Sequence, residues 1–328
     1  MRLSLTSLLI SAAVATVAAA GQVGQPNDAA PNTVAKAKLA NTNPPQATST
    51  EKQPAAAPAP KPAIAGCENP NALGVSRTVE IDTTGGPGFG FEHYKAYDFL
   101  ADKEVVLTFD DGPQVGTTKA VLDALAKHCT KALFFSIGKM AIGLPEIIRD
   151  VAARGHTIGT HTWSHQDIRK KGDAEAKDEL ERGISGVRRG VGGPIAPFFR
   201  FPYLKDSPSA LTHLASRNIA VFSTDIDSFD FKPQTSENLV KSIMAKLEKK
   251  GKGILLMHDI QKHTAQALPA LLDAMKEKGY KIVQVKPKEE VKTLAEYDTL
   301  IEKDVKGLPA AGAERPVSSI IRTVPTTP

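Results

Sequence analysis

Cysteine is nearly absent from this sequence: Cys67 and Cys129 are its only two. That count excludes a Cys-ligated zinc site and a disulfide-dense framework, and leaves room for one disulfide at most. No arginine-rich block accompanies the formal net charge of +5, because the lysines are spread through helices and tails. A nucleic-acid partner is therefore not expected. Beyond the first twenty residues no long apolar run occurs, which excludes a multi-span membrane protein. Neither a Gly-x-Ser-x-Gly elbow nor a Glu following the first histidine of the His161-to-His165 pair is present, so serine-hydrolase and zincin chemistry both lack their motifs.

What is present divides the chain. Met1-Arg2, an apolar stretch from Leu3 to about Val17 and then Ala18-Ala19-Ala20 read as a signal peptide over 1–20, so the protein is expected to be secreted or periplasmic. An uncleaved N-terminal anchor is the alternative, and no other membrane association is expected. Residues 21–66, rich in Ala, Pro, Thr and Gln, cannot bury a core and read as a linker. Residues 67–103, with the Gly85-to-Gly90 run, read as a lead-in that packs on one end of the domain, the glycines serving turns rather than a phosphate loop.

Over 104–285 short β-branched and aromatic runs alternate with amphipathic stretches. Strands are expected at 104–109, 131–136, 156–159, 198–201, 220–224, 253–257 and 281–285. Helices are expected near 118–128, 145–154, 174–189, 207–217, 236–250 and 264–278. The alternation predicts an α/β fold, a distorted (β/α) barrel of about seven parallel strands, with a doubly wound open sheet as the alternative. Residues 286–328 read as a tail with one helix near 289–302.

Chemistry gathers at the expected strand ends, which form the functional face of such a barrel. The first ends in Thr108-Phe109-Asp110-Asp111-Gly112-Pro113, and the third runs into His161-Thr162-Trp163-Ser164-His165. Two histidines four apart on a helical turn would present both rings on one face, as a divalent metal requires. The fourth ends in Arg200-Phe201-Pro202-Tyr203, the fifth leads to Asp230-Phe231, and the sixth closes on His258-Asp259. A His, His, Asp set with an open coordination position, beside a further acid and histidine, suits metal-assisted hydrolysis.

In these five ordered motifs the sequence resembles the NodB-type polysaccharide deacetylases, over roughly residues 104–285. The resemblance implies removal of N-acetyl groups from a glycan containing N-acetylglucosamine, whether a chitin oligomer, peptidoglycan or an exopolysaccharide. It implies a divalent metal, Zn2+ with Co2+ as a possible substitute, on Asp111, His161 and His165. Asp110 would be the general base, held by Arg200. The Tyr203 N–H would help bind the oxyanion, and Asp230 would orient and tune His258 as general acid. Two positions depart from the family pattern: Leu204 stands where a glycine or small polar residue is frequent, and Phe231 where tryptophan is usual. Both adjoin the place of the acyl methyl and sugar ring, so they bear on substrate rather than on reaction. Trp163, Tyr203 and Phe231 are the aromatics that could stack on a sugar, Trp163 being the weakest of the three. An O-acetyl esterase and a catalytically silent glycan-binding protein are the alternatives. Cys67 and Cys129 are expected to form a disulfide in an oxidising compartment, against the alternative of two separate thiols. Oligomeric state is not legible.

Overall fold

The computed structural model describes residues 67–306. The expected signal peptide or anchor, the linker and the end of the C-terminal tail lie outside the described residues. Ten strands alternate with eight helices in this span. They are β1 (Arg77–Ile81), β2 (Gly88–Phe89), β3 (Glu104–Asp110), α1 (Thr117–Lys127), β4 (Leu133–Ser136), α2 (Gly138–Gly143), α3 (Pro145–Ala153), β5 (Thr157–Thr160), α4 (Asp173–Val191) and β6 (Phe198–Phe199). There follow α5 (Pro208–Ser216), β7 (Ala220–Phe222), β8 (Ile226–Asp227), α6 (Ser236–Lys250), β9 (Gly253–His258), α7 (Lys262–Glu277), β10 (Lys281–Pro287) and α8 (Ala295–Lys306).

Every strand pairing is parallel. β3 stands between β9 and β4, and the ladder continues through β5 and β6 to β7. On the other side β9 pairs with β8. β7 and β8 belong to one stretch of chain that leaves β6 and joins β9, with Asp225 N–H donating to the Ile254 carbonyl at the crossing. The result is a distorted (β/α) barrel whose ladder is interrupted at residues 223–225, as the βα alternation predicts.

Strand side chains divide by parity. Val105, Leu107, Phe109, Phe134, Phe199, Val221, Leu255 and Met257 pack outward against the helices. Val106, Phe135, Phe198, Phe222 and Ile254 fill the interior. Both faces are therefore buried, which is why these strands are almost uninterrupted apolar runs. The interior parity, followed to the C-terminal ends, delivers Thr108 and Asp110, Arg200, and Leu256 and His258 to one mouth.

The lead-in does more than cover an end. β1 extends the sheet beside β10, and β2 pairs with β7, so the glycine run expected to be only turns contains the strand Gly88–Phe89. Two residues, one of them glycine, carry no β-branched or alternating signal. α8 begins at Ala295, later than the expected 289, because residues 288–294 first cross the barrel. Lys288 N–H donates to the Ile81 carbonyl, Val291 N–H to the Ile195 carbonyl, and Thr293 Oγ1 to Asp298 at 2.7 Å. No helix among the described residues is long and apolar enough to cross a membrane.

Cys67 and Cys129 form the expected disulfide, with Cα atoms 5.9 Å apart, tying the lead-in to the end of α1. It spans 62 residues, a loop for which chain entropy predicts about 4 kcal/mol of stabilisation. Replacing both cysteines by serine is expected to lower the unfolding free energy by about that amount in denaturant titrations, with reductant no longer affecting the result. A loss under about 1 kcal/mol would show that the bridge constrains little of the unfolded chain.

Candidate active site

At the barrel mouth lies a cleft of about 390 Å³ lined by Asp110, Asp111, His161, His165, Tyr203, Leu204, Asp227, Phe231, Leu256 and His258. Each side chain is set by its local backbone. β3 ends at Asp110, and Asp111 at φ 77° turns its carboxylate to the same side. Gly112 must follow, since a Cβ there would lie 2.1 Å from a carboxylate oxygen of Asp259. That carboxylate is wholly buried and accepts a hydrogen bond from Thr118 Oγ1 at 2.5 Å, and burial pushes its pKa up to about 7. Asp259 is therefore part of the wall behind the Asp-Asp turn, a placement sequence alone did not suggest.

The histidine pair does not sit on a helix. After β5 the chain makes tight turns, with Thr162 at φ 66° and His165 at φ 59°. His165 N–H donates to Thr162 Oγ1 at 3.0 Å. Helix α4 then fixes the loop. Trp163 N–H donates to the Glu179 carbonyl at 2.8 Å, while Ser164 N–H and Ser164 Oγ donate to the Glu179 carboxylate at 2.9 and 2.7 Å. Gly183 permits this approach, because a Cβ would meet the Thr162 carbonyl carbon at 2.6 Å. The i,i+4 spacing thus brings the rings together, with centroids 5.0 Å apart, through a turn whose signals are its Thr and Ser rather than helical periodicity. Trp163 is buried with Ile142 and Ile301 and cannot serve as a sugar platform.

His161 Nδ1 lies 2.7 Å from the Arg200 carbonyl, which only accepts, so Nδ1 carries the proton and Nε2 keeps its lone pair. Burial holds the His161 pKa below its ordinary value, favouring that neutral ring. Nε2 of His161 and Nε2 of His165 stand 3.5 and 3.4 Å from Asp111 Oδ1. That oxygen is buried and has no hydrogen-bond partner. One donor atom from each of the three residues falls within 4.8 Å of the others. An unpartnered carboxylate oxygen facing two imidazole nitrogens is an arrangement a divalent cation satisfies, so the residues fit a metal.

Two anchored pairs flank this triad. Arg200, wholly buried, donates from Nη1 to Asp110 Oδ1 at 2.8 Å and to Thr108 Oγ1 at 2.7 Å. Its Nη2 donates to the Ser223 carbonyl at 2.8 Å, and its plane lies on the Phe135 ring at 4.4 Å. Asp110 Oδ2 is left facing the histidines, 4.0 Å from His161 Nε2. Opposite, Asp230 Oδ1 accepts from His258 Nδ1 at 2.6 Å, and Oδ2 accepts from His258 N–H and Thr264 Oγ1 at 2.7 and 2.6 Å. His258 Nε2 faces the cleft, 4.0 Å from Asp111 Oδ2. Burial opposes the charged imidazolium, but the hydrogen bond and charge of Asp230 outweigh it and raise the His258 pKa to about 9. Tyr203, at φ 59°, holds an N–H with no acceptor among the described residues. Thr108, the first residue of the first motif, joins the site as an acceptor for Arg200, while Thr264 and Asp227 join it without a motif signal of their own; a hydroxyl in a helix and an acid at a strand end are too common to single out.

All eight residues singled out from the sequence are thus brought to one mouth. Residues 100–221 match the family model described as polysaccharide deacetylase, a span that holds Asp110, Asp111, both cleft histidines, Arg200 and Tyr203 but ends before Asp230 and His258. A peptidoglycan-N-acetylglucosamine deacetylase of Listeria monocytogenes is 30% identical over 184 residues, covering 56% of this chain and 38% of that protein. The chain therefore spans well under half the length of that relative. A chitooligosaccharide deacetylase of Azorhizobium caulinodans is 30% identical over 155 residues, covering 47% of this chain and 73% of its own length. Among solved structures, a peptidoglycan deacetylase of Bdellovibrio bacteriovorus aligns with a TM-score of 0.59 at 34% identity, over 65% of this chain and 59% of its own. Motifs, barrel and relatives agree, and the chain belongs to the polysaccharide deacetylase family.

Proposed function

We propose that this protein hydrolyses the N-acetyl group of N-acetylglucosamine units in a glycan, using a divalent metal held by Asp111, His161 and His165. Zinc is the ion proposed, with cobalt able to replace it. The observation that carries the reading is the opposition of two anchored groups across one metal-competent triad. Asp110 Oδ2 and His258 Nε2 both face the cleft, while Arg200 and Asp230 fix their far sides.

When bound, the ion supplies Lewis acidity, polarising a carbonyl and lowering the pKa of water. The chain's own residues move the protons. Asp110 takes one from the attacking water, and the tetrahedral oxyanion meets the free Tyr203 N–H. His258, charged at neutral pH, gives its Nε2 proton to the departing nitrogen, which otherwise would have to leave as an amide anion. The C–N bond breaks, and acetate and the free amine result. Phe231, beside His258 at 6.1 Å between centroids, with Leu204 and Leu256 supplies the apolar wall an acetyl methyl requires.

We place the enzyme outside the cytoplasm, a reading supported by the leader-like residues 1–20 and the Cys67–Cys129 disulfide. Protease treatment of intact cells would check it, with protection of the protein in every compartment counting against export.

Acetate release is the direct test, on chitooligosaccharides and on purified peptidoglycan, with a chelator and with zinc restored. Release that stops with chelator and returns with zinc is the expected result. No release from either substrate by metal-loaded protein would reject the reading.

A further inference from the structure

Trp163 stands between His161 and His165, the two histidines of the metal-competent triad, and is the only tryptophan of the chain. The loop that carries it is strained. Thr162 at φ 66° and His165 at φ 59° both hold left-handed backbone, which a β-branched residue such as threonine rarely adopts. Such a conformation persists only where its surroundings over-determine it. The main chain is held from α2 and α4, since Gly138 N–H and Lys139 N–H donate to the Thr162 and Trp163 carbonyls at 3.0 Å each and Trp163 N–H donates to Glu179. The side-chain anchor is the Trp163 ring, 4% exposed and the one large apolar group of the loop. α2 and α4 make room for it with glycine, because a Cβ on Gly138 or Gly186 would lie 2.7 or 2.9 Å from its carbons.

The outer cover of that ring comes from the far end of the described chain. Ile301 of α8, wholly buried, packs with Trp163 and Ile142, and Val305 lies against them. The Arg182 guanidinium of α4 sits 4.7 Å from the Trp163 ring centroid and donates from Nη2 to Asp304 of α8 at 2.8 Å, so α8 holds the cation over the ring. Asp304, Arg182, Trp163 and the two histidines thus form one continuous series of contacts. α8 follows the last strand and closes none of the ladder. It buries only Tyr297 and Ile301, and a groove of about 340 Å³ remains between it and the C-terminal half of α4. An element attached so lightly opens at a lower free energy than the barrel does.

We propose that α8 is the clamp of the metal loop: docked, its Ile301 and Asp304 hold Trp163 and Arg182 in place and so set His161 and His165 for the ion, which couples metal affinity to α8 docking. Trp163 and Ile301 are then positioning residues that touch neither ion nor substrate. By linkage, an ion that binds the docked form more tightly strengthens docking by the same factor. The inference rests on the metal reading above, and binding tests it without turnover.

Zinc affinity of the full chain would be measured by chelator competition, and α8 docking by amide hydrogen exchange over 295–306 in zinc-free and zinc-loaded protein. Zinc is expected to slow exchange in α8 by about tenfold, the lower end of what groups behind a metal ligand contribute. Ile301→Ala, which empties the contact with Trp163, should weaken zinc binding toward the same factor. Asp304→Ala breaks a half-exposed ion pair without opening the core and should weaken it in the same direction, so the answer does not depend on Ile301→Ala folding. The Cys67→Ser/Cys129→Ser double variant, destabilised through the lead-in instead, should bind zinc as the wild type does. Wild-type zinc affinity in both α8 variants, or α8 exchange indifferent to zinc, overturns the coupling, as does equal weakening in the cysteine variant. A wild type that binds no zinc rejects the metal reading itself, whereas zinc bound with α8 indifferent rejects the clamp alone.

Discussion

Asp110→Asn is expected to lower kcat by roughly 10²–10⁴-fold, the share a general base supplies, while leaving the metal bound. Asparagine keeps the carbonyl oxygen that accepts from Arg200 Nη1 at 2.8 Å, but the atom facing His161 becomes an amide nitrogen that cannot take a proton. The three metal-competent donors belong to other residues, so zinc content by elemental analysis should match the wild type. The fold needs its own measurement, because the change leaves Arg200 with its buried charge uncompensated. Breaking a buried pair typically costs about 3–5 kcal/mol, and here the bonds from Arg200 to Thr108, Phe222 and Ser223 remain to offset part of that. Turnover within tenfold of wild type in a folded, zinc-loaded variant would remove Asp110 as the base.

Arg200→Met separates anchoring from chemistry. The carboxylate stays, but it loses the guanidinium that fixes Oδ1, and a folded variant should lose kcat more than KM. Unchanged kinetics would mean that Arg200 stabilises the barrel interior without positioning the base.

How far the sequence carried depends on the kind of signal. Strands β3, β4 and β9 are buried along nearly their whole length and bounded by turns, so their positions were legible to within two residues. β2 and β8 have two residues each and exist because the chain passes a strand already in place, a tertiary cause with no local signature. The site was legible because barrel topology sends strand ends to one mouth, so five separate motifs could be read as one constellation. The geometry of His161 and His165 was misjudged as helical: i,i+4 spacing is shared by helices and by compact turns, and the deciding contacts come from Glu179 and Gly183 on α4, many residues later. Asp259 was hidden for a similar reason, since its partners Thr118 and Gly112 are far from it in sequence.

Asp230→Asn should move the alkaline limit of activity to lower pH. His258 must be protonated to donate, so activity is lost as pH rises through its pKa, which Asp230 raises to about 9. The same shift makes the pair stabilising, fully below the ordinary value of 6.5 and progressively less as pH rises toward 9. Without the Asp230 hydrogen bond and charge, burial is opposed chiefly by the weaker pull of Asp110 and Asp111, and the pKa moves down from about 9. At pH 8 a group with pKa 9 is about nine-tenths protonated, and each unit by which the pKa drops below 8 cuts the protonated fraction roughly tenfold. A bound divalent cation lowers both values, so the difference between the two profiles is the quantity to read. Asparagine also sets an amide N–H against one of the donors Asp230 now satisfies, His258 N–H or Thr264 Oγ1, and some stability is lost. Comparing each protein with itself across pH cancels that loss. An alkaline limb that stays in place in the variant would show that His258 is not the acid, or that its charge is set by something other than Asp230.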